Sequence, residues 1–266
     1  MRMSIKPKKQ QATGPAAAGP FFKKWRETML IYPMFADMLQ QPHLLIAGAT
    51  GSGKSVIVNN LIYTGLRSGP DRFQLILVDP KRVELVQYRD LPHCIYYASE
   101  PGLMIHALQI AMDITEKRYK EMQQKREKKY SGPDLYIIID ELADLMTTNK
   151  KAVQPLLQRL CQIGRAAKVH VIACTQCPLS AVIPTPIKVN FDARVGLRTR
   201  SKQDSRNIMD FTGLETLPRY GQCIYMNPEK TVKYNVPMIP ETEINAIIRY
   251  WTQSKIPRKK KKWILF

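Results

Sequence analysis

The segment Gly48-Ala-Thr-Gly-Ser-Gly-Lys-Ser55 constrains the fold of this 266-residue chain more than any other stretch. It fits the pattern G-x-x-x-x-G-K-[ST] at every fixed position, follows the apolar run His43–Ala49 and precedes a helical pattern over Val56–Arg67. Glycines at these spacings let backbone N–H groups turn toward an anion, and the start of the next helix adds its positive end. The segment therefore predicts a strand, a phosphate-binding loop and a helix in succession.

This loop pattern assigns roles to individual side chains. The amine of Lys54 is expected to reach the β- and γ-phosphates, and the hydroxyl of Ser55 to bind magnesium. We therefore expect ATP and Mg²⁺ as cofactors. A glycine-rich turn without a ligand is the alternative, which the flanking strand and helix disfavour. The residues expected to contact the nucleotide are Gly48, Ala49, Thr50, Gly51, Ser52, Gly53, Lys54 and Ser55.

Short apolar runs rich in β-branched residues alternate with helical patterns along the chain. The clearest helical pattern is Leu103–Lys129. Strands that alternate with helices predict an α/β fold with a mainly parallel sheet flanked by helices. Near the end, Gln222–Met226 and Thr231–Val236 predict an antiparallel hairpin at the sheet edge. The expected strands are His43–Ala49, Phe73–Asp79, Cys94–Ala98, Leu135–Asp140, Val169–Thr175, Arg194–Thr199 and Gln222–Met226.

Two carboxylates, Asp140 and Glu141, stand at the end of the apolar run Leu135–Asp140. One acid can hold magnesium while its neighbour orients and deprotonates an attacking water. We therefore assign Asp140 to the metal and Glu141 to the water. A solvated strand end or a helix N-cap is the alternative for such a pair. Its position downstream of a complete phosphate loop favours the catalytic interpretation.

A polar amide, Gln176, lies at the tip of the strand that begins at Val169. An amide beside the phosphate loop can sense the γ-phosphate, so Gln176 is a candidate switch, and an ordinary strand-end amide is the alternative. Cys174 and Cys177 form a C-x-x-C, but zinc needs a second ligand pair at compatible spacing and the sequence offers none. The odd cysteine count of 5 also argues against a disulfide framework.

The basic excess of the chain is concentrated at its two ends. The formal net charge is +19, and residues 1–26 and 255–266 carry basic side chains without any acidic ones. Clustered Lys and Arg suit an acidic polymer or an anionic membrane surface, while solvated tails are the alternative. No apolar run of about 18 residues is present and the start is polar, so we expect no integral membrane segment and a cytoplasmic location.

The composition divides the chain into four parts. Residues 1–20 are expected to be a disordered basic tail, because they contain little to bury. Residues 21–41 are expected to form a small N-terminal bracing helix. Residues 42–240 are expected to be the ATPase domain, and residues 241–266 a C-terminal helix followed by a basic tail.

Together, these motifs resemble the FtsK/SpoIIIE-type DNA translocases of the HerA group. The resemblance runs from about Pro42 to Pro237. The phosphate loop alone is shared by many NTPases, but the joint set is far more specific. The matching stretches are PHLLIAGATGSGKS at 42–55, LILVDPKRVEL at 75–85, YIIIDELADLM at 136–146, RLCQIGRAAKVHVIACTQ at 159–176 and RTRSKQDSRNIMD at 198–210.

The resemblance implies a RecA-like P-loop NTPase that assembles as a homo-oligomer, a hexameric ring around double-stranded DNA, with ATP bound between subunits. On that basis Arg165 is expected to be an arginine finger that enters the neighbouring nucleotide site. Lys188, Lys202 and Arg206 fall on segments that resemble the pore loops of the family and are expected to touch DNA phosphates. Lys202 is also expected near the neighbouring nucleotide. A solvated surface cation is the alternative for each.

Departures from the family pattern shape the expected function. Cys177 stands where the family usually has arginine, and neither the membrane-spanning part nor the C-terminal winged-helix module of the large translocases is found in this sequence. We expect an ATP-hydrolysing translocase of double-stranded DNA, of the kind that a plasmid or mobile element encodes. The alternatives are an ATPase for protein secretion or conjugative coupling, and an ATP-binding adaptor that is not a motor.

Overall fold

The computed structural model describes residues 32–179 and 182–254. Within these ranges, eight strands form one sheet in the order β3-β2-β4-β5-β1-β6-β7-β8. The expected tails at 1–20 and 255–266 lie outside the described residues. The strands are β1 His43–Ala47, β2 Phe73–Val78, β3 Cys94–Ala98, β4 Asp134–Ile139, β5 Val169–Thr175, β6 Ala193–Gly196, β7 Gln222–Asn227 and β8 Lys230–Asn235.

The first six strands along the chain pair in parallel, and the last two add an antiparallel edge. The hairpin between β7 and β8 turns at Pro228–Glu229, where the side chain of Asn227 accepts from the N–H groups of Glu229 and Lys230. The α/β fold with a mainly parallel sheet and an antiparallel edge hairpin is therefore confirmed. Because the first six strands are parallel, their carboxyl ends meet along one edge of the sheet, the edge that runs across the strands.

Helices cover both faces of the sheet. Within the predicted bracing segment 21–41, the structure has a helix at Pro33–Gln40, and residues 21–31 lie outside the described ranges. The α4 helix is kinked at Asn149, whose side chain accepts from the Ala152 N–H and so caps the second segment. The helices are α1 Pro33–Gln40, α2 Lys54–Gly65, α3 Pro101–Lys125, α4 Leu142–Ile163, α5 Thr185–Lys188, α6 Lys202–Met209 and α7 Glu241–Gln253, with short 3-10 helices at Val86–Tyr88 and Leu214–Thr216.

Several elements end earlier than the sequence pattern indicates, for local reasons. β1 ends at Ala47 because Gly48 turns into the phosphate loop, and β4 ends at Ile139, one residue before the acid pair. The α3 helix stops at Lys125 because Arg126 adopts a left-handed conformation with φ 56°. The polar residues that follow β1 and β4 therefore lie in loops beyond the sheet.

The hydrophobic core has two layers, one on each face of the sheet. Along β1, Leu44 and Ile46 pack into the layer that contains α1, α2 and α7, whereas Leu45 packs into the layer that contains α3 and α4. Strands buried on both faces read as continuous apolar runs, which is why the sequence pattern located them. The sheet is thereby fixed as a rigid platform for the loops at its edge.

The C-terminal helix α7 is anchored by Trp251. Its side chain is 2% exposed, its Nε1 donates to the Leu66 carbonyl at 2.8 Å, and its ring lies edge-on to His93 at 4.6 Å between centroids. Leu66 follows α2, so Trp251 ties α7 to the helix that begins in the phosphate loop.

We expect Trp251→Ala to lower the free energy of unfolding by about 3–5 kcal/mol, because it removes a fully packed ring and leaves a cavity. Trp251→Phe keeps most of the packing and loses the hydrogen bond, so its cost is expected to be nearer about 1–2 kcal/mol. Urea-induced unfolding, monitored by circular dichroism, measures the free energy of unfolding of both variants. Equal stability of Trp251→Ala and the unsubstituted chain would contradict this role for α7.

Candidate active site

The phosphate loop joins β1 to α2 and lies against the segment that follows β6. A Cβ added at Gly48 would stand 2.7 Å from the Cβ of Leu197 and 3.2 Å from the carbonyl oxygen of Arg198, so only glycine fits there. The Ala49 N–H donates to that same carbonyl at 2.8 Å. Gly53, the residue before α2, has a φ of +103°, a conformation that glycine adopts without strain.

Lys54 lies inside the loop. Its side chain is largely buried, and its Nζ donates to the carbonyl oxygens of Gly48 and Ala49 at 2.7 and 2.8 Å. Burial lowers the pKa of Lys54, while nearby Cys174 and Glu141 act in the opposite direction. The amine is therefore held at the centre of the loop by neutral acceptors, where the oxygens of a phosphate would be stronger ones.

Glu141 is the most enclosed member of the acid pair. It is 3% exposed and caps the amino end of α4 by accepting from the Ala143 N–H at 3.3 Å. Both of its carboxylate oxygens lie 3.2 Å from the backbone nitrogen of Gln176, and Lys81 Nζ lies 3.5 Å away. The N-cap alternative is therefore observed for Glu141, and its catalytic role stays a prediction.

Asp140 lies among other acids. Burial, and then the negative charges of the neighbouring Asp79 and Glu84, raise the pKa of its carboxyl to about 6, against the effect of Lys81. A bound cation would relieve this repulsion, and carboxylate and hydroxyl oxygens are the ligands that Mg²⁺ prefers. The chemistry of Asp140 and of the Ser55 hydroxyl at the start of α2 therefore fits a magnesium ion.

Gln176 connects the phosphate loop to the acid pair. Its backbone N–H donates to Glu141, and its side-chain oxygen accepts from the Thr50 hydroxyl at 2.6 Å. The residue stands directly after β5, which lies between β4 and β1. Lys54, Glu141 and Gln176, which the sequence analysis selected separately, therefore lie at the same edge of the sheet.

Two further charged residues at this edge, Asp79 and Lys81, were not predicted as site residues. Asp79 is fully buried, and its Oδ2 accepts from the Leu85 N–H at 3.0 Å and from the Tyr97 hydroxyl at 3.4 Å. Lys81 follows on the same loop and reaches Glu141. Their position in the sequence could have indicated a site role, because β2 and β4 are neighbours and the charged residues directly after β2 therefore lie beside those directly after β4.

Two open cavities adjoin the phosphate loop. The larger, of about 580 Å³, has three arginines in its wall, and none of them was selected from the sequence as a site residue. The smaller, of about 320 Å³, includes Gln176 and Cys177. The larger cavity is lined by Ala49, Thr50, Ser52, Arg198, Thr199, Arg200, Glu215 and Arg219.

Arg165 is not brought to the phosphate loop of its own chain. It is exposed in the turn between α4 and β5, on the amino side of β5, whereas Gln176 follows the carboxyl end. The seven residues of β5 separate the two positions by roughly 20 Å. Any action of Arg165 on a nucleotide site would have to be on a different subunit.

The three basic residues expected at DNA differ in their surroundings. Lys202 and Arg206 are exposed and stand one turn apart on α6. Lys188 is instead ion-paired with Asp210, its Nζ lying 2.6 Å from Oδ1. The other oxygen of Asp210 accepts from Arg194 at 2.5 Å, so this carboxylate joins the end of α5, β6 and the end of α6.

No helix in the described part of the chain is both long enough and apolar enough to cross a membrane.

Comparison with known proteins identifies relatives over most of the chain. "DNA translocase FtsK" of Treponema pallidum is 38% identical over 237 residues, which is 82% of this chain and 30% of that protein. "DNA translocase FtsK" of Helicobacter pylori strain 26695 is 36% identical over 250 residues, 88% of this chain and 29% of that protein. This chain thus spans about a third of the length of the curated relatives that it matches.

Solved structures share the fold. The cytoplasmic domain of the type VII secretion ATPase EccC of Thermomonospora curvata superposes with a TM-score of 0.72 at 20% identity, covering 85% of this chain and 30% of that one. The pCW3 conjugation coupling protein TcpA superposes with a TM-score of 0.69 at 24% identity, covering 80% of this chain and 66% of that one.

A family model also matches, over residues 2–134 and 123–180, and its description is "FtsK/SpoIIIE family". Its match includes the phosphate loop, the acid pair and Gln176, the residues that the fold brings to one edge of the sheet. The chain belongs to the FtsK/SpoIIIE family of P-loop ATPases.

Proposed function

We propose that this chain is an ATP-hydrolysing motor domain that moves along double-stranded DNA. The observation that carries the proposal is the contact chain from Thr50 through Gln176 to Glu141, which joins the phosphate loop to a buried carboxylate. A loop that holds phosphates and an acid that handles water are the requirements of NTP hydrolysis.

Each side chain of the site has a defined task in this proposal. The loop N–H groups and Lys54 hold the β- and γ-phosphates, and Ser55 and Asp140 hold Mg²⁺. When bound, magnesium neutralises the negative charge that develops on the phosphates. Glu141 orients the attacking water and accepts its proton, and Gln176 reports the γ-phosphate to β5. The Lys54 amine exchanges its carbonyl partners for phosphate oxygens as the nucleotide enters.

The proposal includes a ring, in keeping with the position of Arg165. This arginine is exposed and lies on the side of the sheet away from the phosphate loop of its own chain. A head-to-tail arrangement of subunits would place it at the nucleotide of the neighbour, where a guanidinium stabilises the charge of phosphoryl transfer. We infer a homo-hexamer that works in the cytoplasm.

Duplex DNA is the proposed track. Lys202 and Arg206 are exposed on α6, and Asp210 ties α6 to Lys188 on α5, so the three basic residues belong to one unit of structure. The curated relatives carry the name DNA translocase. Contacts from lysine and arginine to phosphates hold DNA without reading its sequence, as a translocase requires.

A secretion or conjugation ATPase is a second candidate, because the solved structures with this fold include EccC and TcpA. Stimulation of ATP hydrolysis by duplex DNA separates it from a DNA motor. A non-motor adaptor is a third candidate, and it predicts no phosphate release under any condition. Phosphate release with and without linear duplex DNA, at several salt concentrations, distinguishes the three.

Glu141→Gln is expected to keep ATP binding and to lower kcat by at least about 100-fold, because the amide fills the same space but cannot accept a proton. Binding of a fluorescent ATP analogue and phosphate release are the measurements. Glu229→Gln, at the exposed turn between β7 and β8, is the matched control and should hydrolyse normally. Normal turnover of Glu141→Gln would remove the assignment of the base.

Arg165→Ala is expected to fold and to bind ATP but to hydrolyse it at least about 100-fold more slowly. The decisive measurement mixes it with Lys54→Ala, which is inactive for a different reason. In a mixed ring, a Lys54→Ala subunit lends its arginine to an intact phosphate loop, so activity should return to roughly a quarter of the wild-type rate.

Arg159→Ala, at an exposed position near the end of α4, is the control for this experiment and should remain active. A mixture with no more activity than its two components would exclude Arg165 as a finger. So would a stable wild-type monomer that hydrolyses ATP at the full rate.

Asp210→Asn is expected to tighten binding to duplex DNA, because it frees Lys188 while asparagine keeps the left-handed backbone of this position, φ 67°. The slope of log K against log salt should steepen by about one, the contribution of one added phosphate contact. Fluorescence anisotropy at several salt concentrations measures this. The double variant Asp210→Asn with Lys188→Ala should show no gain, and a gain that persists there would exclude Lys188.

A further inference from the structure

Two buried hydroxyls and a partly buried carboxylate form a hydrogen-bonded triad that connects α6 with the segments beside the phosphate loop. The Ser205 hydroxyl donates to Glu215 Oε2 at 2.5 Å, and the Thr199 hydroxyl lies 3.0 Å from the Ser205 oxygen. Ser205 is fully buried and Thr199 is 4% exposed. The Gly213 N–H donates to the same oxygen of Glu215 at 2.9 Å. We call Thr199, Ser205 and Glu215 the coupling triad.

The members of the coupling triad come from three different segments. Thr199 lies in the connection after β6, Ser205 lies on α6, and Glu215 lies on the 3-10 helix Leu214–Thr216. The three segments are therefore joined through the Ser205 hydroxyl, which contacts both Thr199 and Glu215. Because Ser205 has no access to water, its hydroxyl cannot exchange Glu215 for a solvent partner.

One end of the coupling triad is joined to the phosphate loop. The residue before Thr199 is Arg198, whose carbonyl accepts from the Ala49 N–H at 2.8 Å, and Gly48 packs against the same segment. Thr199 and Glu215 also stand in the wall of the 580 Å³ cavity, beside Ala49. The coupling triad is therefore connected to the phosphate loop through the carbonyl of Arg198.

The other end of the coupling triad lies on α6 between the exposed cations. Ser205 immediately precedes Arg206 and stands three residues after Lys202. A force applied to these cations moves the helix that carries Ser205. Hydrogen bonds from Ser205 and Gly213 lower the pKa of Glu215, so the carboxylate remains a charged and strong acceptor.

We propose that the coupling triad transmits contact between α6 and DNA to the phosphate loop, and so sets the degree to which duplex DNA stimulates ATP hydrolysis. Ser205, Thr199 and Glu215 are positioning residues, since they act through α6 and through the Arg198 segment. This inference rests on the proposed function. If the coupling triad has this role, disrupting it abolishes the stimulation of ATP hydrolysis by DNA, while basal hydrolysis and DNA binding are retained.

The test compares Ser205→Ala, Glu215→Ala and Glu215→Gln in the full chain. Basal kcat, KM for ATP, the DNA dissociation constant and the stimulation of kcat by linear duplex DNA are measured for each. Ser205→Ala and Glu215→Ala are expected to lower the stimulation of kcat by DNA to less than about a fifth of the wild-type value. Basal kcat, KM for ATP and the DNA dissociation constant should stay within about twofold of wild type. The amide oxygen of Glu215→Gln still accepts both hydrogen bonds, so this variant should keep at least about half of the stimulation.

Gln203→Ala is the matched control, because Gln203 is exposed on the same helix and bonds only Asn207 among the described residues. It should be stimulated like wild type. The double variant Ser205→Ala with Glu215→Ala should be no worse than either single variant, since the two residues form one connection. If Ser205→Ala fails to fold, Glu215→Ala carries the test, because Glu215 is only partly buried.

Three results would overturn the inference. The first is undiminished stimulation of Ser205→Ala or of Glu215→Ala. The second is a parallel fall of basal kcat and stimulation, which would indicate a purely structural role. The third is additive loss in the double variant. Absence of DNA stimulation in the wild-type chain is a different failure, because it removes the proposed function itself and the inference with it.

Discussion

Burial of charge at one edge of the sheet is the constraint on which the rest of this structure depends. Lys54 and Glu141 are withdrawn from water, and buried charges are tolerated only where other polar groups replace the solvent. Glu141 obtains its partners from Gln176, Ala143 and Lys81, which belong to different segments of the chain. The carboxylate of Glu141 therefore ties together the segments that follow β2, β4 and β5.

The sequence was sufficient for features whose signal is local. Glycine spacing located the phosphate loop, and apolar runs located the strands, because both patterns act within a few residues. Pairings between distant side chains could not be predicted in this way. Neither the bond from Thr50 to Gln176 nor the ion pair of Lys188 with Asp210 has a local pattern. Each depends on which strands become neighbours, and strand order is a property of the whole chain.

The strand order also determines what lies on each side of the phosphate loop. β1 lies between β5, which ends directly before Gln176, and β6, which leads to α6. The phosphate loop therefore stands between the acid pair on one side and the exposed cations of α6 on the other. On the side of α6, Gly48 is closely packed against the segment that follows β6. In the proposed motor, this position would connect the nucleotide to the segment that leads to α6.

The same strand order governs how the molecule can be made. β1 is the first strand to be synthesised, yet His43 pairs with Val171, a separation of 128 residues, and its other neighbour, β6, comes later still. During translation the loop between Gly48 and Ser55 emerges long before the strands that support it. Pairing across such distances is slow and waits for the later segments. A ribosome-bound fragment that ends before β5 would thus carry the loop without the strands that flank it, so the proposed nucleotide site can form only after β5 and β6 have been synthesised.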